Sequence, residues 1–256
     1  YNNLSHYTKA QLQSYNAVVS GAPNILVPRF VRSFYGYNSG TSIQNIGTEP
    51  VNISITFSFA GHTYIYNSPS PLQPNASLAL FAPNVTALAP VDMLPMADRS
   101  GSAVFTASKV DSGDPEPLIV AIINEDNRGG FDAWRNGQGS TYNGFPIGSE
   151  TTTVFFSQVT RKVSGFISGG FQISNTTDSG ATCTIDYAGV PAAQETGVAL
   201  PANGSILRYG PNVANLPDGF NASVTVACTE PIVGISNFQA IGKYGDSFIQ
   251  TNGLNQ

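Results

Sequence analysis

The chain has 256 residues, a length that suits one large domain or two of ordinary size. Only 11% of the residues are charged, 41% are hydrophobic, and the formal net charge is −5. The few basic residues are scattered, which argues against nucleic acid as a partner. No run of apolar residues is long enough to span a membrane, so we also expect no membrane span. A neutral polar surface with only four lysines is typical of extracellular β proteins, and the start at Tyr1 fits a processed N-terminus.

Residues 1–24 form a segment that matches nothing else in the chain and is interpreted as an N-terminal arm. Its central part could form two or three helical turns with Leu12, Tyr15 and Val19 on one face. An extended arm fits the same residues. The sequence leaves both alternatives open, as it does the choice between packing on its own domain or on a neighbouring subunit.

After the arm, the chain repeats itself in five blocks that recur in the same order. The pairs are GTSIQNIG (40–47) with GFQISNTT (170–177), ISITFSFAG (53–61) with ATCTIDYAG (181–189), LQPNASLALFAPN (72–84) with LPANGSILRYGPN (200–212), GSAVFTAS (101–108) with NASVTVAC (221–228), and IVAIIN (119–124) with IVGISN (232–237). Such ordered self-similarity predicts an internal duplication.

The repeated blocks have the pattern of short β-strands. ISITFSF and TCTIDY alternate apolar and polar residues, IVAII and IVGI are apolar runs of strand length, and PNAS and PANGS read as turns. We therefore predict an all-β chain of two tandem immunoglobulin-like β-sandwich modules, at residues 25–152 and 153–256.

Cys183 and Cys228 are the two cysteines of the chain, and both fall in predicted strands of the second module. In the repeat alignment they occupy the positions of Ile55 and Ser108. A structural disulfide is predicted, which would stabilise the fold by roughly 4 kcal/mol in the chain-entropy model. Two buried free thiols are the alternative.

The first module carries two insertions, 109–117 and 124–145, and long loops on a sandwich are common places for binding. In the second insertion Phe131, Trp134 and Tyr142 are candidates for stacking on a sugar ring, although Trp134 could instead cover the sandwich edge. Acidic residues in the two insertions are weak candidates for calcium ligands: Asp111, Asp114, Glu125 and Asp126. The alternative is ordinary solvated acids, and the two groups should emerge at opposite ends of one strand.

Seven Asn-x-Ser/Thr sequons are candidates for glycosylation: Asn3, Asn52, Asn75, Asn84, Asn175, Asn203 and Asn221.

Catalytic motifs are not found. The two histidines, His6 and His62, lie in the arm and in a predicted turn, and no G-x-S-x-G motif occurs. The spacing of His and Cys does not suit zinc. The acidic residues could serve as a glycosidase pair, but two small sandwiches offer no obvious cleft. We therefore expect neither an enzyme nor a cofactor.

Three short motifs resemble a family of tandem repeats in secreted bacterial surface proteins. They are Tyr35-Gly36, the stretch Gly40 to Gly47, and Tyr142 to Phe145. The likeness is weaker in the second module, where Ser174 replaces Gln44. The resemblance implies a cell-surface location and a sandwich fold, and it transfers no catalytic residue.

These observations lead to two functional hypotheses. The first is a structural or adhesive extracellular surface protein, a glycosylated subunit of a filament, pilus or envelope layer with other protein subunits, most simply copies of itself, as partners. The second is a carbohydrate-binding module that uses the loop aromatics of the first module to bind glycans.

Overall fold

A computed structural model describes residues 20–127, 135–243 and 247–255. In these ranges the chain is mostly β. The strands of its first half (residues 20–147) are β1 (Asn24–Val31), β2 (Asn38–Asn45), β3 (Val51–Phe59), β4 (His62–Asn67), β5 (Ser77–Phe81), β6 (Ser100–Lys109), β7 (Ile119–Asp126), β8 (Gly139–Asn143) and β9 (Phe145–Pro146). Those of its second half (residues 151–255) are β10 (Thr151–Arg161), β11 (Ile167–Asn175), β12 (Ala181–Tyr187), β13 (Glu195–Leu200), β14 (Ser205–Tyr209), β15 (Phe220–Ala240), β16 (Ile249–Asn252) and β17 (Leu254–Asn255). Short 3-10 turns, the longest of them Thr86–Met93, connect some of the strands.

The first half consists of two antiparallel sheets packed face to face. The front sheet has the order β4-β3-β6-β1-β9 and the back sheet the order β5-β2-β7-β8. Along β3 every second residue, from Val51 to Phe59, is buried, as expected for a strand with one face on a core. These side chains form one cluster with those of β1, β6 and β7.

The second half has the same strand order in its front sheet, β13-β12-β15-β10-β17, and in its back sheet, where β14, β11, β15 and β16 follow one another. The two sheets are joined because β15 is a single strand of 21 residues. Its first part pairs with β10 and β12, and its second part, from Ile232 onward, pairs with β11 and β16.

Local interactions also correspond between the halves. Arg32 pairs with Asp92 and donates to the Val85 carbonyl, and Arg161 pairs with Asp218 and donates to the Val213 carbonyl. These matches extend the sequence repeat to side-chain hydrogen bonds.

A second correspondence concerns a buried asparagine at the end of β2 and of β11. The Asn45 amide donates to the carbonyls of Glu49 and Leu72, and the Asn175 amide donates to those of Ser179 and Pro201. In both halves the asparagine therefore holds two loops together.

Cys183 and Cys228 face each other across β12 and β15 and form a disulfide. The counterparts predicted for them in the first half, Ile55 and Ser108, do not face each other, because Ile55 lies opposite Phe105. The block alignment of residues 101–108 with 221–228 was therefore wrong in register by three residues relative to β3. Val and Ala recur so often in these strands that the sequence could not fix the register.

Candidate functional site at the junction of the two halves

The two halves pack on each other through non-equivalent sheets. The outer face of the front sheet of the first half lies against the outer face of the back sheet of the second half. Leu26 on β1 is buried there, and Val233 and Ile235 of β15 belong to the core cluster of the first half. We call this contact the junction.

A buried ion pair lies at the junction. The guanidinium of Arg29, on β1, donates through Nε to Glu125 at 2.7 Å and through Nη2 to the same carboxylate at 2.6 Å. Both side chains are almost completely buried, with 3% and 1% exposed. This two-pronged geometry is the strongest form of an arginine–carboxylate contact.

The second half completes the hydrogen bonding of this pair. Arg29 Nη1 donates to Gln172 Oε1 at 3.2 Å, and the Gln250 amide donates to Glu125 at 3.0 Å. Gln172 in turn donates to the Gly101 carbonyl at 2.9 Å. Side chains from β11 and β16 thus satisfy charged groups that belong to β1 and β7, which ties the halves together.

Burial and the charges of this pair together set the protonation of the surrounding groups. Burial opposes the charge of Arg29, but Glu125 outweighs burial and the pKa of Arg29 lies above its ordinary value. Burial, assisted by the charge of Glu125, raises the pKa values of Tyr37 and Tyr142. Both phenols therefore stay protonated as hydrogen-bond donors, Tyr142 to the Arg29 carbonyl.

Beside the ion pair, an open pocket of about 320 Å³ lies at the junction. We call it the junction pocket. Its aromatic lining comes from both halves: Phe34, Tyr35, Tyr37, Tyr209 and Phe248. The Tyr37 hydroxyl lies 2.9 Å from Gln239 Oε1, so the two halves also meet by a hydrogen bond in the pocket wall.

Two neutral amides, Asn212 and Asn237, also line the junction pocket. Within the described part of the chain their side chains make no hydrogen bond, so their donors and acceptors can serve a ligand. Arg29 and Glu125 reach the pocket as a neutralised pair. The lining thus combines aromatic rings and amides with a further cationic side chain, that of Arg135.

The structure does not support ring stacking by Tyr142. Its side chain is 2% exposed and its hydroxyl is bound to the Arg29 carbonyl. Phe131 and Trp134 lie outside the described residues. The predicted loop 124–145 was too long, since residues 139–143 and 145–146 are strands β8 and β9.

The calcium candidates separate into two groups, as expected, at opposite ends of β7. Glu125 and Asp126 were assigned to a loop, but they are the last residues of β7 and are buried. Asp111 and Asp114 contact each other in a surface turn through the Asp111 backbone N–H. Within the described ranges no three His, Cys, Asp or Glu side chains are placed to hold a metal ion.

The sequon asparagines differ in accessibility. Exposed side chains are those of Asn52, Asn75, Asn84, Asn203 and Asn221, while Asn3 lies outside the described residues. Asn175 is buried, and its amide nitrogen donates two hydrogen bonds. A glycan on Asn175 would replace one of the two amide hydrogens, so at least one of these bonds would be lost, and the buried side chain leaves no room for a sugar.

No family model and no curated protein matches the chain. A comparison with solved structures gives a lectin from Pleurotus ostreatus in complex with GalNAc. The two are 10% identical over 93% of this chain and 86% of the lectin chain, with a TM-score of 0.20. In the described residues no helix is long and apolar enough to cross a membrane.

Proposed function

We propose that this protein is a structural or adhesive component of a cell exterior, in which two duplicated immunoglobulin-like sandwiches act as one rigid body. The observation that carries the rigid-body part of the proposal is the junction. Its buried ion pair is completed by glutamines of the other half, and such a contact tolerates little relative motion. Domains usually move relative to each other unless their interface is large and apolar, and here Val233 and Ile235 of the second half belong to the core cluster of the first half.

Three further features support a place outside the cell. The chain contains a disulfide, which persists in oxidising compartments. Its charged fraction is low and five described sequons are exposed.

The shared strand order and the matched arginine and asparagine contacts support the duplication.

Immunogold electron microscopy of intact source cells, together with protease treatment before and after lysis, tests the proposal. We expect labelling on the outer surface and cleavage without lysis. Labelling found only after lysis would contradict it. Labelling along filaments or in a continuous layer would favour a structural role, and scattered labelling an adhesive one.

A second candidate function, carbohydrate binding, is favoured by the junction pocket rather than by the loop aromatics. Aromatic faces and neutral amides are groups that recognise sugar rings and hydroxyls, and the pocket volume is at the lower end of the ~300–1,000 Å³ typical of ligand sites. We propose a mono- or disaccharide as the ligand class.

Saturation-transfer NMR with a panel of methyl glycosides tests this function. Asn212→Ala should weaken any binding about tenfold, as the loss of one hydrogen bond predicts. Asn84→Ala is the matched control, because Asn84 ends the corresponding turn of the first half and lies outside the pocket. A panel without binding, or equal effects of the two variants, would exclude the junction pocket as a sugar site.

A further inference from the structure

The junction uses the back face of the second half, and the back face of the first half carries apolar residues at the corresponding positions. At the junction this face carries Val233 and Ile235 on β15, with Leu207 and Tyr209 on β14 beside them. The register of the strands gives the counterparts in the first half. They are Val120, Ile122, Ala79 and Phe81.

These four counterparts lie on the outer face of the back sheet. Their neighbours on the core side, Ala121 and Ile123, are buried, whereas Val120 and Ile122 are only half-buried and Ala79 and Phe81 are exposed. No charged residue lies among them. The first half therefore presents to solvent the same type of apolar surface that the second half buries.

The front face of the second half also leaves apolar side chains exposed, at positions that are buried in the first half. At the junction the front face of the first half contributes Leu26, which pairs with Phe145 in the neighbouring strand, and both are buried. The corresponding pair in the second half is Phe155 and Leu254. Phe155 is only half-buried and Leu254 is 60% exposed.

We propose that the partner of both open faces is a second copy of this chain. The back face of the first half of one molecule would dock on the front face of the second half of the next, repeating the contact that already exists inside each chain. This inference rests on the structural role proposed above and specifies its partner. A head-to-tail contact that does not close produces an open, helical filament.

The contact between molecules should be weaker than the junction. Arg29 lies at the bulge of β1, and the corresponding bulge of β10 holds the exposed, uncharged residues Ser157 and Gln158. The ion pair of the junction is therefore not repeated. Association should accordingly be reversible and depend on protein concentration.

Sedimentation velocity over a wide concentration range tests the proposal. For the wild-type chain the weight-average mass should rise with concentration. Ile122→Asp, on the back face, and Leu254→Asp, on the front face, should each remain monomeric. Phe81→Asp provides a second back-face variant in case Ile122→Asp unfolds, and thermal melting monitors folding. Met93→Asp is the control, because this 88% exposed apolar side chain lies on neither face.

Mixing the two variants gives the sharpest result. Ile122→Asp keeps an intact front face and Leu254→Asp keeps an intact back face, so the mixture should form dimers and nothing larger. A wild-type chain that stays monomeric, folded face variants that associate like the wild type, or a mixture that stays monomeric would each overturn the proposal. None of these results bears on the surface location or on the rigidity of the chain.

Discussion

The substitution Glu125→Gln tests the buried ion pair of the junction. In the wild type this carboxylate accepts two hydrogen bonds from Arg29 and one from Gln250. A neutral amide keeps one acceptor oxygen and places an NH₂ group against other donors. Arg29, which is 3% exposed, is then left as a buried charge without a counter-ion.

The expected cost follows from that buried charge. Removing one partner of a buried ion pair typically destabilises a protein by about 3–5 kcal/mol, more than the net worth of the pair itself. We therefore expect Glu125→Gln to lower the free energy of unfolding by an amount in this range. Adding Arg29→Met should recover a substantial part of the loss, because the uncompensated charge is then removed as well.

Guanidinium unfolding with linear extrapolation measures both effects, and the double-mutant cycle gives the coupling between the two residues. Glu116→Gln is the control, because Glu116 pairs with Lys109 at the surface and its side chain is 74% exposed. The control should leave unfolding unchanged. A loss below about 1 kcal/mol for Glu125→Gln would refute the role assigned to the ion pair.

Three other predictions concern the disulfide, glycosylation and acid. Replacing both cysteines by alanine should lower the free energy of unfolding by about 4 kcal/mol, since the bridge closes a 45-residue separation, and reduction of the wild type should match it in denaturant unfolding. In a glycosylating host, mass spectrometry of the secreted, folded protein should find glycan at Asn84 and none at Asn175, whose amide is buried; occupancy of Asn175 would contradict its structural role. The hydrogen bond from Arg32 holds the pKa of Asp92 below its ordinary value, so this stabilisation is present above about pH 4 and is lost as the pH falls through the folded-state pKa. Asp92→Asn should flatten the acid limb of the curve of stability against pH, and an unchanged acid limb would refute the assignment.

Part of this structure could be predicted from the sequence because it depends on local patterns. The alternation of apolar and polar residues in ISITFSF predicts a strand with one buried face. The order of the repeated blocks predicts the succession of strands along the chain. The cysteines were placed in strands of one module for the same reason. Register was not predictable, because Ala103, Val104 and Phe105 are apolar in succession and period-two alternation does not mark which of them faces the core.

The junction was missed because its residues come from distant parts of the chain. Arg29 and Gln172 are 143 positions apart, and a lone arginine or glutamine in a strand usually indicates solvent. One signal was available. NILVPRFV is apolar almost throughout and β1 is buried on both faces, whereas TTTVFFSQV in the second half is only partly buried. A strand that is apolar on both faces predicts a covered sheet, and the contrast between the two halves indicated which sheet is covered.

Differential scanning calorimetry of the purified wild-type chain tests the central claim most directly, namely that the two halves form one rigid body. They share the Arg29–Glu125 network, and Val233 and Ile235 complete the core of the first half. The chain should therefore unfold in a single transition whose calorimetric and van't Hoff enthalpies agree. Two resolved transitions, or a van't Hoff enthalpy near half the calorimetric value, would show that the halves unfold independently and would contradict the account.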